Sequence, residues 1–455
     1  MFFLLMQFPA SPITPVRNPS PKPRAASALQ AGLSLLGSAG LLVLALRFAW
    51  RGLSWISKPQ IPREDITGSL LLAASLALCG ILLLPSAGYA LARLAGWYTE
   101  RFTWRWKQNP WIILLLLGTT FFLLLFIGAV VSKSTALAWI ALPFIHILVI
   151  GIPVIGVLYL GGHGLPKGSP QRAWGIFATG MTLGPALIFA LEIVALLVCV
   201  VAGVLIIALS PDQLREISGL VEQLQTPNQS LEKILPVIQP YLKNPFVAFG
   251  VLLFMAGIVP LLEEAIKPIG VWLLVKRRLT PVEGFAAGLI SGAGFALVES
   301  LGYTSDSGQD WTTSVLVRAP TALMHILTCG LTGWGLAKAI SLRHFRWLLA
   351  GYGGAVAIHG LWNGLTITAA GIVLLYPDQP AAVAVAGLAL LGMLALFGSV
   401  FLLLLLINRR LREQAGHAII SPQPVLVSAP DTIPSEPESS LHEYHPETDR
   451  PFSAP

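Results

Sequence analysis

The chain has 455 residues, of which 55% are hydrophobic and only 11% charged, so its polar side chains are too few to cover a water-soluble globule. Its net charge of +7 does not point to nucleic acid, because the basic residues cluster in short loops between apolar runs, where they orient membrane spans. A polytopic membrane protein is the class that fits.

The first six residues, Met1 to Met6, are too short and lack the preceding basic region of a secretory signal. With the Pro-rich stretch that follows, residues 1–27 read as a disordered cytoplasmic tail. Apolar runs long enough to cross a hydrocarbon core then recur at Ala28–Trp50, Gly68–Trp97, Trp111–Val131, Thr135–Gly161, Trp174–Leu209, Phe246–Val275, Phe285–Leu301, Ala319–Ala337, Leu348–Leu375 and Ala381–Ile407. They are continuous rather than alternating and rich in Leu and Ala, which excludes a barrel and predicts an all-α bundle of about ten spans. Residues 28–209 form a five-span N-terminal region, 210–244 a loop, 245–407 a second membrane region, and 408–455 a disordered cytoplasmic tail rich in Pro, Ser, Glu and His.

Basic residues flank alternate ends of the spans: Arg17, Lys22 and Arg24 before the first; Arg101, Arg105 and Lys107 before the third; Lys276, Arg277 and Arg278 after the sixth. Lys338, Arg343 and Arg346 follow the eighth, and Arg409, Arg410 and Arg412 the last. The positive-inside rule then puts both termini in the cytoplasm and the loop 210–244 outside; Arg51, Lys58 and Arg63 in the first external loop run against it. In that long loop, Ser210, Pro211 and Gln213 form a helix-start signal that Thr226, Pro227 and Gln229 repeat, predicting a pair of short amphipathic helices. Such helices rest on the bilayer or cover a site beneath them. Cys79, Cys199 and Cys329 fall in apolar spans without metal-ligand spacing, and packing is their expected role.

Chemistry concentrates between Glu263 and Asn363. The sixth span carries Pro260, Glu263, Glu264 and Lys267 inside GIVPLLEEAIKPIGVWLLV, although each ionisable residue at a helix centre costs roughly 2.5 to 3.5 kcal/mol on insertion scales. Pro260 cannot donate to Ala256, which predicts a kink, a carbonyl in need of another donor and a wet cavity. Lys267 follows Glu263 by four residues and Glu264 by three, so it is expected to pair with one carboxylate and leave the other tunable.

The seventh span holds Phe295 and Glu299 on one face. The eighth begins at Arg318 and Pro320 and holds His325, with Gly330, Gly333 and Gly335 allowing a close neighbour. The ninth holds His359 and Asn363 in HGLWN. Counted at the helical rise from their cytoplasmic flanks, Glu264, His325 and His359 lie about 18 to 20 Å deep and Glu299 about 24 Å, so four consecutive helices bring their ionisable groups to one level. By contrast, His146 and Glu192 stand alone in the fourth and fifth spans, where structural packing is the expected role.

At these residues the sequence resembles the PrsW family of intramembrane proteases, related to the membrane-embedded CAAX-processing proteases. EEAIK resembles EExxK, FALVE resembles FxxxE, HGLWN resembles HxxWN/D, and the segment from Arg318 through His325 to Gly333 resembles the remaining histidine motif. Compared with the CAAX-processing branch, Lys267 stands where the first motif ends in Arg, and Glu299 where the second has His. The resemblance implies endopeptidase cleavage of a membrane-associated protein, an anti-sigma factor among the substrates, in a bacterial plasma membrane, and implies no nucleic-acid partner.

Peptide hydrolysis needs an activated water, donors for the oxyanion and an acid for the leaving amine. Glu263 with Glu299 is expected to polarise the water, Glu264 with Lys267 to form an orienting pair, and His359 with Asn363 to stabilise the oxyanion. His325 either protonates the amine or joins Glu263, Glu299 and His359 around a divalent metal, for which Zn²⁺ suits the donor types. Without HExxH a zincin site is not expected, and metal-dependent and glutamic chemistry stay open. Two other classes fit the same residues: a proton- or ion-coupled transporter using them as a relay, and a catalytically silent scaffold.

Overall fold

A computed structural model describes residues 14–15, 21–58, 60–98, 109–207, 231–305 and 310–420. Ten helical stretches among them are long and apolar enough to cross a bilayer, so the chain is an all-α, multi-pass membrane protein. The one strand pairing among the described residues is a two-residue antiparallel bridge between Thr14–Pro15 and Trp97–Tyr98.

Helix α1 (Pro21–Trp55) starts ahead of the expected Ala28 and packs along α2 (Arg63–Leu94). Between them Ser34 Oγ bonds Ser86 Oγ at 2.9 Å and Ser38 Oγ donates to the Gly80 carbonyl at 2.8 Å. In lipid, where apolar burial gives helices little reason to associate, such hydroxyl bonds and close packing hold them together. Next come α3 (Pro110–Ser132), α4 (Ala138–Gly161), and a fifth span broken at Thr182 into α5 (Pro170–Met181) and α6 (Leu183–Ile207). Of the loop 210–244, α7 (Leu231–Leu242) is helical as its start signal predicts; the expected helix after Ser210 lies outside the described residues.

The sixth span is broken rather than simply kinked. It runs as α8 (Pro245–Leu253), a π-turn (Phe254–Ile258), α9 (Val259–Ile266) and α10 (Ile269–Trp272). Pro260 and Pro268 account for the breaks, since neither can donate to the preceding turn. A short 3₁₀ turn, Val275–Arg277, leads to Arg278 at φ 49° and out of the span.

Helix α11 (Pro281–Thr304) opens with a capping box between Thr280 and Glu283 and is the most enclosed span of the bundle. It packs on α4, α5 and α13 (Thr321–Leu342). Gly284, Gly288 and Gly292 line one face of α11 against the α13 backbone; a Cβ on Gly292 would stand 2.7 Å from the His325 carbonyl, and one on Gly288 would strike the Cys329 carbonyl. Small residues at this spacing let backbones touch. Ahead of the expected eighth span, which begins at Ala319, a further helix α12 (Trp311–Arg318) forms, and Pro320 separates it from α13. Helices α14 (Arg346–Leu375) and α15 (Pro380–Ile420) complete the fold, α15 continuing past the expected Ile407. Cys79 and Cys329 are buried as packing residues, but Cys199 is exposed on α6, so packing does not explain it.

Candidate active site

The ionisable residues of α9, α11, α13 and α14 meet around one ammonium. Lys267 Nζ lies 2.7 Å from Glu263 Oε2, 2.8 Å from Glu264 Oε1 and 2.7 Å from His325 Nδ1. The ammonium hydrogen-bonds Glu264 Oε1 and His325 Nδ1 and pairs with the Glu263 carboxylate by charge. The expectation that Lys267 would pair with one carboxylate and leave its neighbour free is therefore corrected: Lys267 keeps helical dihedrals, so the carboxylates three and four residues before it both lie on its side of the helix and one cation serves both. Ser291 Oγ on α11 donates to the Lys267 carbonyl at 2.6 Å, and Nζ stands 4.6 Å over the Phe295 ring.

The Lys267 contact assigns the His325 tautomer. A nitrogen that accepts from an ammonium carries no proton, so the proton is on Nε2, which donates to Glu299 Oε2 at 2.7 Å. The same Glu299 oxygen lies 2.8 Å from Arg318 Nη2 at the end of α12. Arg318 was read as the start of a span and of the segment resembling the histidine motif, with no contact to Glu299 expected; its position one turn and a proline before the His325 helix was the available signal.

His359 Nδ1 lies 2.9 Å from Glu264 Oε1 and 3.3 Å from Lys267 Nζ. An ionised carboxylate only accepts, so His359 donates its Nδ1 proton to Glu264 and the free lone pair is on His359 Nε2. Glu264 and Lys267 are fully buried, and Glu264 Oε2 has no hydrogen-bond partner. Asn363, one turn beyond His359, donates from Nδ2 to the Met255 carbonyl in the π-turn at 2.9 Å. This is the side-chain donor that the broken helix requires. Gly360 permits it, because a Cβ there would strike the Ala256 carbonyl.

A cavity of about 360 Å³ opens beside this cluster, bordered by Glu299, Arg318, His325, His359 and Asn363 on its polar side. Met255, Val317, Met324, Trp362 and Ile367 supply its apolar walls. Glu263 and Glu264 lie behind His359 and Lys267 rather than on the cavity wall.

Of the two ionisable residues expected to pack elsewhere, Glu192 on α6 brings its carboxyl within hydrogen-bonding reach of Glu263. Sequence reasoning missed that approach because no second polar residue accompanies Glu192 on its helix. His146 on α4 stays apart from the cluster and accepts from Trp311 Nε1 at 3.1 Å.

For a metal, Glu263, His325 and His359 each offer one atom, all within 4.8 Å of one another, and their types suit zinc. As packed, however, the centre of that set holds the Lys267 ammonium, so an ion would bind there only with Lys267 withdrawn.

The sequence model of the PrsW family intramembrane metalloproteases matches residues 195–402. Neither the curated proteins nor the solved structures gave a match to this chain. The matched stretch holds Glu263, Glu264, Lys267, Glu299, His325, His359 and Asn363 but not His146 or Glu192. Over residues 195–402, this multi-pass membrane protein is similar to the PrsW family of intramembrane metalloproteases.

Proposed function

We propose that the chain hydrolyses peptide bonds of membrane-anchored proteins at the cavity beside His359, in a bacterial plasma membrane with both termini cytoplasmic. The observation that carries this reading is the Glu264–His359 pair, whose 2.9 Å bond to Nδ1 leaves Nε2 unprotonated on a residue that borders the cavity.

In this reading His359 Nε2 takes a proton from water as the resulting hydroxide attacks the scissile carbonyl carbon. The oxyanion faces the second amide proton of Asn363 and the Arg318 guanidinium, both on the cavity wall. His359 then returns its proton to the leaving amine as the carbon–nitrogen bond breaks, so atoms and charge balance. Glu264 orients the imidazole and stabilises it while protonated. Glu263, Glu299 and His325 are positioning residues: Glu263 and His325 hold Lys267 in place, and Glu299 holds His325 and Arg318. A zinc ion at Glu263, His325 and His359 would instead supply Lewis-acid polarisation of the carbonyl and water.

Anti-sigma factors are the substrate class we favour, on the family resemblance. The test is a comparison of membrane proteomes with and without the gene, followed by cleavage of each accumulating protein by purified enzyme. Cleavage by the wild-type chain and none by His359→Ala, with both accumulating equally, is the expected result. Equal cleavage by both would overturn the reading.

A further inference from the structure

Helix α12 is only eight residues long and forms one side of the cavity, yet its anchor lies in the N-terminal half of the bundle. Trp311 and Val315, one turn apart, are both fully buried. Trp311 Nε1 donates to His146 Nδ1 at 3.1 Å, 165 residues away in sequence. The indole also fills the space beside Gly128 on α3, where any side chain would strike the ring. His146 is fully buried as well, so this bond forms where no water competes for either partner.

From the anchored face, α12 turns Thr313, Ser314, Val317 and Arg318 toward the cavity. A peptide bond can be attacked only where the substrate backbone is extended, and an extended backbone in a bilayer has polar groups that need partners. Hydroxyls on α12 offer them opposite Asn363 and Thr366 of α14. The apolar walls between favour an uncharged stretch of substrate.

We propose that α12 is the substrate-binding wall of the site, recognising an unwound, uncharged peptide segment, and that Trp311 and His146 are positioning residues that hold it against the catalytic helices. The inference rests on the hydrolase reading for its kinetics, though not for its binding measurement. It assigns to the N-terminal spans, which lie outside the matched family stretch, the task of presenting substrate.

The experiment uses full-length protein in proteoliposomes and a quenched-fluorescence peptide with a Leu/Ala-rich span and a Gly/Ser-rich flank. Trp311→Phe keeps the ring and removes the donor; His146→Phe removes the acceptor, and His146→Asn retains an acceptor close to the Nδ1 position. Loss of one buried hydrogen bond is expected to raise KM about five- to tenfold in the first two variants, with kcat changed by less than about twofold, and His146→Asn should restore KM. The same peptide's Kd for the silenced Glu264→Gln protein, with and without Trp311→Phe, should weaken by the same factor. A fall in kcat at constant KM, or an unchanged Kd, would overturn the proposal. If wild-type protein binds the peptide but leaves it intact, the hydrolase reading is the one in question, and the Kd comparison still decides the role of α12.

Discussion

Lys267 Nζ lies 2.7 Å from His325 Nδ1, so a buried cation donates to a histidine whose other nitrogen donates to Glu299. The contact joins the broken sixth span to α11 and α13. Lys267→Ala would leave Glu263 and Glu264 adjacent without a cation. We expect it to abolish hydrolysis and to lower stability by about 3 to 5 kcal/mol, read by thermal unfolding in detergent, as removal of one partner from a buried ion pair does.

The position of the ammonium also bears on metal dependence. We expect wild-type protein to retain its activity after dialysis against a chelator and to contain well under one zinc per chain. Lys267→Ala should take up zinc when tested by elemental analysis and titration calorimetry, because Glu263, His325 and His359 then converge on a vacated centre. Inactivation of the wild type by chelation, reversed by zinc, would show that Lys267 withdraws in the working enzyme.

For the proposed base, His359→Ala should reduce kcat on the order of 10³-fold or more, and Glu264→Gln by a comparable factor, because the amide no longer fixes the tautomer. The double variant should be little worse than either single one, since the two act as a unit. Additive losses, measured by single-turnover hydrolysis, would separate them.

Glu192 is the test of what lies outside the family motifs. Two carboxyl groups within hydrogen-bonding reach need a proton between them, and an amide can supply a donor in its place. Glu192→Gln should therefore keep hydrolysis within about threefold, whereas Glu192→Leu should lower it about tenfold by leaving the Glu263 carboxyl without that donor.

Outside the spans, burial pushes the Lys167 amine down from 10.5 to about 8. A lysine whose folded-state pKa is depressed opposes folding while it is charged, so the penalty is full below about pH 8 and fades as pH rises toward 10.5. Lys167→Met should raise stability at pH 7 by about 1 kcal/mol, and the gain should shrink between those two values when unfolding is followed against pH.

Much of this arrangement was legible because charge in lipid is expensive: Glu263, Glu264, Lys267, Glu299, His325 and His359 stand out against apolar runs, and helical rise alone placed them at one level. Pro260 announced a defect, although not that a π-turn would form or that Asn363 would satisfy it. The helix break at Thr182 was hidden because hydropathy is continuous across it, and α12 because its eight residues, polar threonines and serine among them, are too short to register as a span. Trp311 and His146 carry no mutual signal in sequence, and Glu192 reaches Glu263 only through the packing of α6 on α9. Bonds of such long range follow from how helices stack, which local pattern does not encode.

The glycine face of α11 has a mechanical consequence. Because Gly288 and Gly292 rest directly on the α13 backbone, the two helices tilt as one body when the bilayer thins or thickens. Strain from lipid therefore spares the Glu299–His325 bond and falls on the joint with the segmented sixth span, where Lys267 bridges the gap. Bilayers of different acyl length should thus tune turnover through that joint.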